Sequence, residues 1–191
     1  DGARAVLRGG LPVKVPKPDY TSALHDSSAL GAGTVGYTPG YALASSTSVD
    51  IKIRGIGGHG AKPDTTKDPI VVAAQVVMAL QTIVSRENSP LDPVVVTVGS
   101  IHGGSKHNII PDEVKLQLTV RTYKDDVRQR VLASIERITR SIALSAGIPD
   151  YLAPIVQSSD TSVTDHTSHE TQLLQCLQSV IVRVLCQANV I

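Results

Sequence analysis

The order of two hydrophobic periodicities most constrains the fold of this chain. Four segments have the apolar composition of strands, and the clearest of them alternate apolar and polar residues as a half-buried strand does. These predicted strands are residues 48–54, 93–104, 113–123 and 151–159. Between them, residues 69–86 and 125–146 have the pattern of helices. The order strand, helix, strand, strand, helix, strand predicts an α+β fold: a ferredoxin-like βαββαβ domain with two helices on one face of an antiparallel four-stranded sheet.

Capping residues mark the predicted helix ends. Asp68 can cap the first helix, and Pro69 suits its first turn. Gly147 and Pro149 are expected to end the second helix. The helix boundaries are therefore predicted independently of the periodicity.

Both flanks of the predicted domain look incomplete. Residues 1–47 are rich in Gly, Pro and Ser, which predicts loops around short extended pieces that would not fold alone. Residues 160–170 predict a polar linker, and residues 171–190 predict a largely apolar helix with no later sequence to cover it. We therefore expect the chain to be cut from something larger.

Composition excludes several classes of partner. The chain has 18 basic and 17 acidic residues spread along its length, so it lacks the basic stripe that nucleic-acid binding requires. No uninterrupted apolar run approaches the ~20 residues of a membrane-spanning helix, and residues 1–20 lack the apolar core of a signal peptide. We expect no nucleic-acid partner, no membrane partner and a cytoplasmic location. Because Phe and Trp are absent, Val, Ile, Leu and Ala must fill the core.

A glycine motif follows the first predicted strand. Residues 54–64 read RGIGGHGAKPD and contain the spacing G-x-G-x-x-G of dinucleotide-binding proteins. That function needs the third glycine at the start of a helix, whose N-terminus binds the pyrophosphate. Here the helix begins only near Pro69, and the next strands are predicted to be antiparallel. The context therefore argues against a nucleotide site.

The same glycines have a second interpretation. Gly57, Gly58 and Gly60 are expected to take positive φ and to let the backbone approach a ligand closely, with His59 presented from the strand end. A histidine in that position can stabilise an oxyanion or act as a general acid. The alternative is a tight loop with an incidental surface histidine, which the motif alone favours.

Two long segments carry a family resemblance. RGIGGHGAKPDTTKDPIVVAAQVVMALQTIVSR and VVTVGSIHGGSKHNIIPDEVKLQLTVRTY closely resemble the lid, or dimerisation, domain of the M20 metallopeptidases. Within that family, the chain resembles the amidohydrolase branch, which includes hippurate hydrolases and auxin-conjugate hydrolases. The resemblance covers nearly the whole chain and is strongest over residues 34–149. It implies a lid inserted into an α/β zinc-peptidase-like catalytic domain, with residues 48–159 as the lid or dimerisation domain and residues 1–47 and 160–191 as partial catalytic-domain segments.

The resemblance also implies roles for four residues. His59 matches the lid histidine that reaches the partner subunit's active site and stabilises the tetrahedral oxyanion. Asn108 and Arg121 match lid positions that hold the amide region and carboxylate of the substrate, which suits a neutral amide and a bidentate guanidinium. His25, in ALHDSS, matches a metal ligand of the family, although Asp26 follows it where the family usually has Val.

The implied enzyme is a metal-dependent amidohydrolase or carboxypeptidase acting on N-acyl amino acids, as in hippurate-like amides. It would carry two divalent metal ions, Zn or Mn, and form a homodimer through the lid. This sequence has no His-x-Asp motif and no Glu-Glu pair, both of which the family uses, so at most one ligand is present. We therefore expect the 191-residue chain alone to lack amidase activity.

A second class of function stays open at this point. A ferredoxin-like domain can also be a non-catalytic dimerisation module or an amino-acid-binding regulatory module. RNA binding is less compatible with the sequence because only five Tyr are present, none in a strand-centre aromatic motif. The combination of His59, Asn108 and Arg121 favours the enzyme, since a regulatory module does not need a histidine directed at a metal centre.

Overall fold

The computed structural model describes residues 5, 8–10, 16, 25–37, 40–158, 167–169 and 171–185. The chain divides into two compact units. The larger unit is Ala44–Asp165, and the smaller unit combines Asp1–Leu43 with His166–Ile191. The larger unit contains the predicted lid, but its first strand begins at Ser45, three residues before the predicted start.

The larger unit is built on a four-stranded sheet. Its strands are β2 (Ser45–Arg54), β4 (Val95–Gly103), β6 (Glu113–Thr122) and β7 (Ile155–Ser158). They lie in the order β4-β6-β2-β7, and all neighbouring pairs are antiparallel. The first and last strands in sequence are thus adjacent, which is the order of a split βαβ unit. The predicted ferredoxin-like fold is confirmed.

Two helices cover one face of this sheet. Helix α1 (Pro69–Thr82) begins as predicted: the side chain of Asp68 accepts a hydrogen bond from the backbone N–H of Ile70 at 2.8 Å, and Pro69 occupies the first turn. A π-helical turn, Ile83–Glu87, extends it. Helix α2 (Asp125–Ser145) ends before Gly147, whose φ of 72° suits only glycine well.

The buried apolar side chains between the helices and the sheet are all aliphatic. On β6, Leu116 is fully buried, and the alternate side chains of the strand point to the opposite, solvent-exposed face. The core residues come from both helices, β2, β4 and β6, and are Val49, Ile51, Ile53, Val72, Ala73, Val76, Leu80, Ile83, Val94, Val96, Val114, Leu116, Leu118, Val120, Val127, Val131, Ile135, Ile138, Ala143 and Ile148. The prediction that Val, Ile, Leu and Ala fill the core is confirmed.

The opposite face of the sheet is polar. Gln117 lies at its centre, accepting a hydrogen bond from Ser100 Oγ at 2.9 Å and donating one to Asp50 Oδ1 at 3.2 Å. Glu113 lies between Lys52 and Lys115, and hydrogen bonding to Lys115 is the main cause that lowers its pKa below the ordinary value. This face therefore carries solvated charge rather than a second core.

By length and composition alone, one described helical stretch could span a membrane. Residues Pro69–Glu87 have a mean hydropathy of 1.5, although no uninterrupted apolar run in the sequence reaches that length. The core helices of water-soluble domains meet the same criterion, and Val72, Val76 and Leu80 of this helix lie in the aliphatic core. The apolar character of α1 is thus accounted for in part by the sheet that it covers.

Within its described residues, the smaller unit contains a two-stranded sheet that is followed by a helix. Strand β1 (Gly40–Leu43) pairs antiparallel with β8 (Thr167–His169), and helix α3 (Thr171–Leu185) follows. Strand β1 lies in the segment predicted as loops around short extended pieces, and β8 lies in the predicted polar linker. Each is four residues or shorter and finds its partner more than 120 residues away, so no local pattern marks it.

Candidate functional site

His59 lies on a short strand where the main sheet ends. Strand β3 (Gly58–His59) pairs antiparallel with β5 (Ile109–Ile110), and His59 lies opposite Ile109. One residue further, the backbone N–H of Gly60 donates to the carbonyl oxygen of Asn108 at 2.7 Å. We call residues 55–61 the His59 segment and residues 106–112 the Asn108 segment. Their pairing places Ile109 opposite His59 and Asn108 opposite Gly60, so the backbones of His59 and Asn108 lie close although the two residues are 49 positions apart in sequence.

The glycines of the His59 segment serve close packing rather than positive φ. Among the described residues, positive φ occurs at Gly10, Gly33, Gly104 and Gly147, so the prediction for Gly57, Gly58 and Gly60 is wrong. The physical reason is that neighbouring backbone lies against this segment at contact distance. Such a close approach requires the absence of a side chain rather than an unusual dihedral angle.

The space around each glycine shows how close this packing is. A Cβ on Gly57 would lie 2.6 Å from the carbonyl oxygen of Ile110, and one on Gly58 would lie 2.8 Å from Thr66 Cγ2. A Cβ on Gly55 would overlap the carbonyl oxygen of Lys67. Lys67 also exchanges two backbone hydrogen bonds of 2.9 Å with Ile56. The His59 segment is therefore held on both sides by backbone.

The imidazole of His59 has one nitrogen occupied. The backbone N–H of Ala61 donates to His59 Nδ1 at 3.1 Å. A backbone amide can only donate, so Nδ1 must be the unprotonated acceptor, and the proton of the neutral ring resides on Nε2. The side chain is exposed. The segment thus presents an Nε2–H donor to whatever approaches it, which is the form needed to stabilise an oxyanion.

Asn108, which lies opposite Gly60 on the neighbouring segment, offers both a donor and an acceptor. Its side chain is exposed, and within the part of the chain that the structure describes its amide makes no hydrogen bond to protein. Only its backbone carbonyl is used, by Gly60. The Asn108 amide is therefore available to a ligand.

Arg121 lies far from this pair in the same chain. It stands opposite Ser46 and Val95 near the end of β6, on the exposed polar face of the sheet. The Asn108 segment joins β6 at its other end. Arg121 lies eight positions along the strand from Glu113, about 27 Å at ~3.4 Å per residue. The structure brings the backbones of His59 and Asn108 together but does not bring Arg121 to them within one chain.

His25 lies in the smaller unit. Its side chain is exposed, and its Nδ1 faces the backbone oxygen and the carboxylate of Asp26, the latter at 3.3 Å. Among the described residues, no group of three or more His, Cys, Asp or Glu side chains could hold a metal ion. The described residues therefore do not fit the two-metal site that the resemblance implies, and the role of His25 stays a prediction.

Comparison with known proteins identifies the family. Residues 41–146 match the peptidase dimerisation domain of the M20 family. This chain belongs to the M20 peptidase family. Two curated relatives are an N-acetyl-L-cysteine deacetylase and an N-acetyldiaminopimelate deacetylase, both from Bacillus subtilis. The first is 37% identical over 85% of this chain and 39% of its own length, and the second is 37% identical over 75% of this chain and 38% of its own length.

A solved structure of the family agrees with the fold. The YxeP protein of Bacillus subtilis, described as a dinuclear metal-binding peptidase of the M20 family, has a TM-score of 0.64 and 25% sequence identity to this chain. The match covers 95% of this chain and 43% of that protein. The chain spans about two-fifths of the length of these relatives. The relatives named here support the M20 family, whereas none of them indicates the hippurate branch.

One residue of this site went unrecognised in the sequence. Asp112 ends the Asn108 segment, and its carboxylate Oδ1 accepts a hydrogen bond from the backbone N–H of Gly57 at 2.9 Å. A single aspartate after Pro111 has the pattern of an ordinary turn. Only the structure shows that it contacts a segment 55 residues earlier.

Proposed function

We propose that this chain supplies the lid and dimerisation domain of a metal-dependent amidohydrolase that hydrolyses N-acyl amino acids. The observation that carries the proposal is the occupied Nδ1 of His59, which leaves an exposed Nε2–H donor on a segment whose backbone is hydrogen-bonded to Asn108. The curated relatives support an N-acetyl group as the acyl group, since both are named deacetylases. A hippurate-like substrate is the less supported alternative. A cytoplasmic location stays a prediction.

Hydrolysis of an amide develops negative charge on the carbonyl oxygen when water attacks. A donor that is already oriented toward this oxygen stabilises the transition state more than the ground state, and one such donor contributes about 10²–10³ in kcat. In the proposed reaction His59 Nε2–H is that donor, and Asn108 orients the amide. The complete enzyme would carry two divalent metal ions, Zn or Mn. In this proposal the lid residues contribute polar contacts to the substrate.

The separation of Arg121 from His59 supports a dimeric site. A small N-acyl amino acid cannot touch both side chains of one chain across about 27 Å of strand. Both can contact one substrate only if two subunits each contribute one end of the domain. We therefore propose that His59 and Asn108 serve the partner subunit's active site, while Arg121 binds the carboxylate of a substrate in its own subunit.

The surface for this dimer combines an open sheet edge with an apolar helix face. Strand β4 pairs only with β6 within the described residues, which leaves its outer edge free for a second copy. Beside it, α1 exposes Ile70, Val71 and Met78, which is 73% exposed. A helix that is apolar on both faces suits burial on both faces. We propose a homodimer through α1 and the edge of β4.

Replacement of His59 tests the catalytic part of the proposal. In the full-length enzyme that carries this chain, His59→Ala should lower kcat for N-acetyl amino acids about 10²–10³-fold, because the transition state loses its donor. Metal content, measured by elemental analysis, should not change. Gln157→Ala is the control, since Gln157 is exposed on β7, at the edge of the sheet opposite β4. Unchanged turnover in His59→Ala would sink the assignment.

Mixing two inactive variants tests the dimeric part. If His59 and Arg121 serve opposite active sites, a heterodimer of His59→Ala and Arg121→Ala subunits has one intact site. After subunit exchange, half of the dimers are mixed, so activity should return to about one quarter of the wild-type value. No recovery above the activity of the separate variants would mean that His59 and Arg121 of one chain serve the same active site. Met78→Glu should prevent recovery and give a monomer in light scattering, because it places a charge in the apolar surface.

A further inference from the structure

We propose that Asp112 is a positioning residue for His59, and this inference rests on the proposed role of His59. Asp112 contacts the His59 segment twice. Its carboxylate Oδ1 accepts from the backbone N–H of Gly57 at 2.9 Å, and its backbone oxygen accepts from the N–H of Gly55 at 2.7 Å. Both contacts lie at the start of the segment, immediately before the two residues of β3.

Asp112 supplies a side-chain contact between the His59 segment and the Asn108 segment, which are otherwise joined by backbone hydrogen bonds. From Gly55 to Gly60, the His59 segment follows the Asn108 segment through the pairs Gly58–Ile110 and His59–Ile109 and the bond from Gly60 to Asn108. Among the described residues, the hydrogen bond to Asp112 Oδ1 is the only one in which a side chain joins these two segments. Of the described hydrogen bonds between the two segments, it is therefore the one that a side-chain substitution can remove without changing the backbone.

The fit between Asp112 and Gly57 is tight enough to fix position. A Cβ on Gly57 would lie 2.8 Å from Asp112 Oδ1 and 3.1 Å from the carbonyl carbon of Pro111. The carboxylate thus packs directly on the α-carbon of Gly57 while accepting from its N–H. Two residues later the imidazole begins, and its ring is in turn oriented by Ala61. A shift of the Gly57 backbone should therefore also move the His59 ring, because a short hydrogen-bonded stretch joins them.

Asp112 does not support the folded core. Its side chain is exposed, and it belongs to none of the aliphatic residues packed between helices and sheet. Loss of its carboxylate is thus expected to loosen the His59 segment while the unit stays folded. Catalysis is sensitive to such loosening, because a donor misplaced by about 1 Å can cost up to 10²-fold in rate.

Three substitutions in the full-length enzyme separate positioning from other roles. Asp112→Ala should lower kcat about tenfold with little change in KM, because substrate contacts stay and only the oxyanion donor is displaced. Asp112→Asn keeps an oxygen that accepts from Gly57, so its kcat should lie within about threefold of wild type. Asp64→Asn is the matched control, since Asp64 is an exposed acid in the turn after the His59 segment. An Asp112→Ala enzyme with wild-type kcat overturns the inference.

A double-mutant cycle shows whether Asp112 acts through His59. In a His59→Ala background, Asp112→Ala should have no further effect on kcat, because the group that it positions is gone. A further tenfold loss in that background would contradict the inference. If His59→Ala itself leaves kcat unchanged, the proposed function fails first, so the two failures are distinguishable.

A spectroscopic measurement on the 191-residue chain needs no activity. Nitrogen-15 shifts of the imidazole should report the Nε2–H form of His59 in the wild-type chain and in Asp112→Asn. In Asp112→Ala the shifts should move toward those of a free histidine, in which both tautomers are populated. Identical shifts in all three chains would show that Asp112 does not orient the ring.

Discussion

The aliphatic core and the His59 segment are stabilised in opposite ways. In the core, side chains such as Ile51, Leu80 and Leu116 are fully buried, and their contribution comes from non-directional apolar contact. In the His59 segment, apart from the half-buried Ile56, the side chains are small or exposed, and backbone hydrogen bonds and the absence of Cβ atoms fix the geometry. A core tolerates exchange of similar apolar side chains, whereas the segment has no room for one additional carbon at Gly57.

This difference separates stability from function within one small domain. Burial sets the free energy of unfolding of the larger unit, and the position of one donor atom sets its contribution to catalysis. A variant in either region should therefore change one quantity much more than the other. Variants that change the free energy of unfolding and the catalytic contribution to the same degree would contradict this separation.

The largest expected effect on stability is in the core. Leu116→Ala removes a fully buried side chain from the central strand β6 and should lower the free energy of unfolding by about 3 kcal/mol, through lost burial and the cavity that is left. Urea denaturation of the 191-residue chain measures it. Leu116→Met, which nearly conserves volume, should cost less than about 1.5 kcal/mol. A loss below about 1 kcal/mol in Leu116→Ala would mean that the centre of the sheet is not tightly packed.

A smaller loss of stability with a larger loss of function is expected at Gly57. A Cβ there meets the carbonyl oxygen of Ile110 and Asp112 Oδ1, so Gly57→Ala should cost about 1–2 kcal/mol and speed amide hydrogen exchange in the His59 segment. In the full-length enzyme its kcat should fall more than tenfold, because His59 is displaced.

The matched control for this variant is Gly99→Ala. A Cβ on Gly99 would have only the carbonyl oxygen of Gln117 nearby, at an ordinary contact distance of 3.8 Å. Turnover and exchange rates should then stay near the wild-type values. If Gly57→Ala and Gly99→Ala behave alike, close packing is not what holds the His59 segment.

The core was predictable from sequence because its signals are local. Alternation through Val114, Leu116 and Leu118 marks a half-buried strand without any knowledge of its partners, and Asp68 before Pro69 marks a helix start in the same way. The ferredoxin-like order follows from these elements by a short list of allowed topologies. The family resemblance added the assignment of His59, Asn108 and Arg121, which no local pattern carries.

The site geometry was less predictable because it depends on long-range approach. The glycine spacing predicted positive φ, which the structure does not show. The sequence does not reveal that the backbone of Ile110 and Lys67 lies against the segment, and this is what requires the glycines. The hydrogen bond of Asp112 to Gly57 is hidden for the same reason. The separation of Arg121 from Asn108, by contrast, follows from the predicted strand between them, because thirteen residues of mostly extended chain cannot fold back on themselves.

The smallest expected effect is an ion pair on the helix side of the core. The carboxylate of Glu87 accepts hydrogen bonds of 2.7 Å from Arg137 and Ser134, which joins the end of the α1 stretch to α2 and lowers the pKa of Glu87 below its ordinary value of 4.5. A lowered folded-state pKa means that the contribution is complete above the unfolded pKa and is lost as the pH falls through the lower folded value.

The pair is partly exposed, so Glu87→Gln should cost only about 0.5 kcal/mol at pH 7. That difference should shrink as the pH falls below 4.5, because the wild-type carboxylate then becomes protonated. Urea denaturation at several pH values measures it. Glu136→Gln, whose partner Arg140 lies on the same helix, is the control that lacks a link between helices. Because Glu87 lies away from the His59 segment, its replacement should leave the imidazole nitrogen shifts unchanged. A shift there would mean that the core and the segment are mechanically coupled, and that stability and donor position are not separate in this domain.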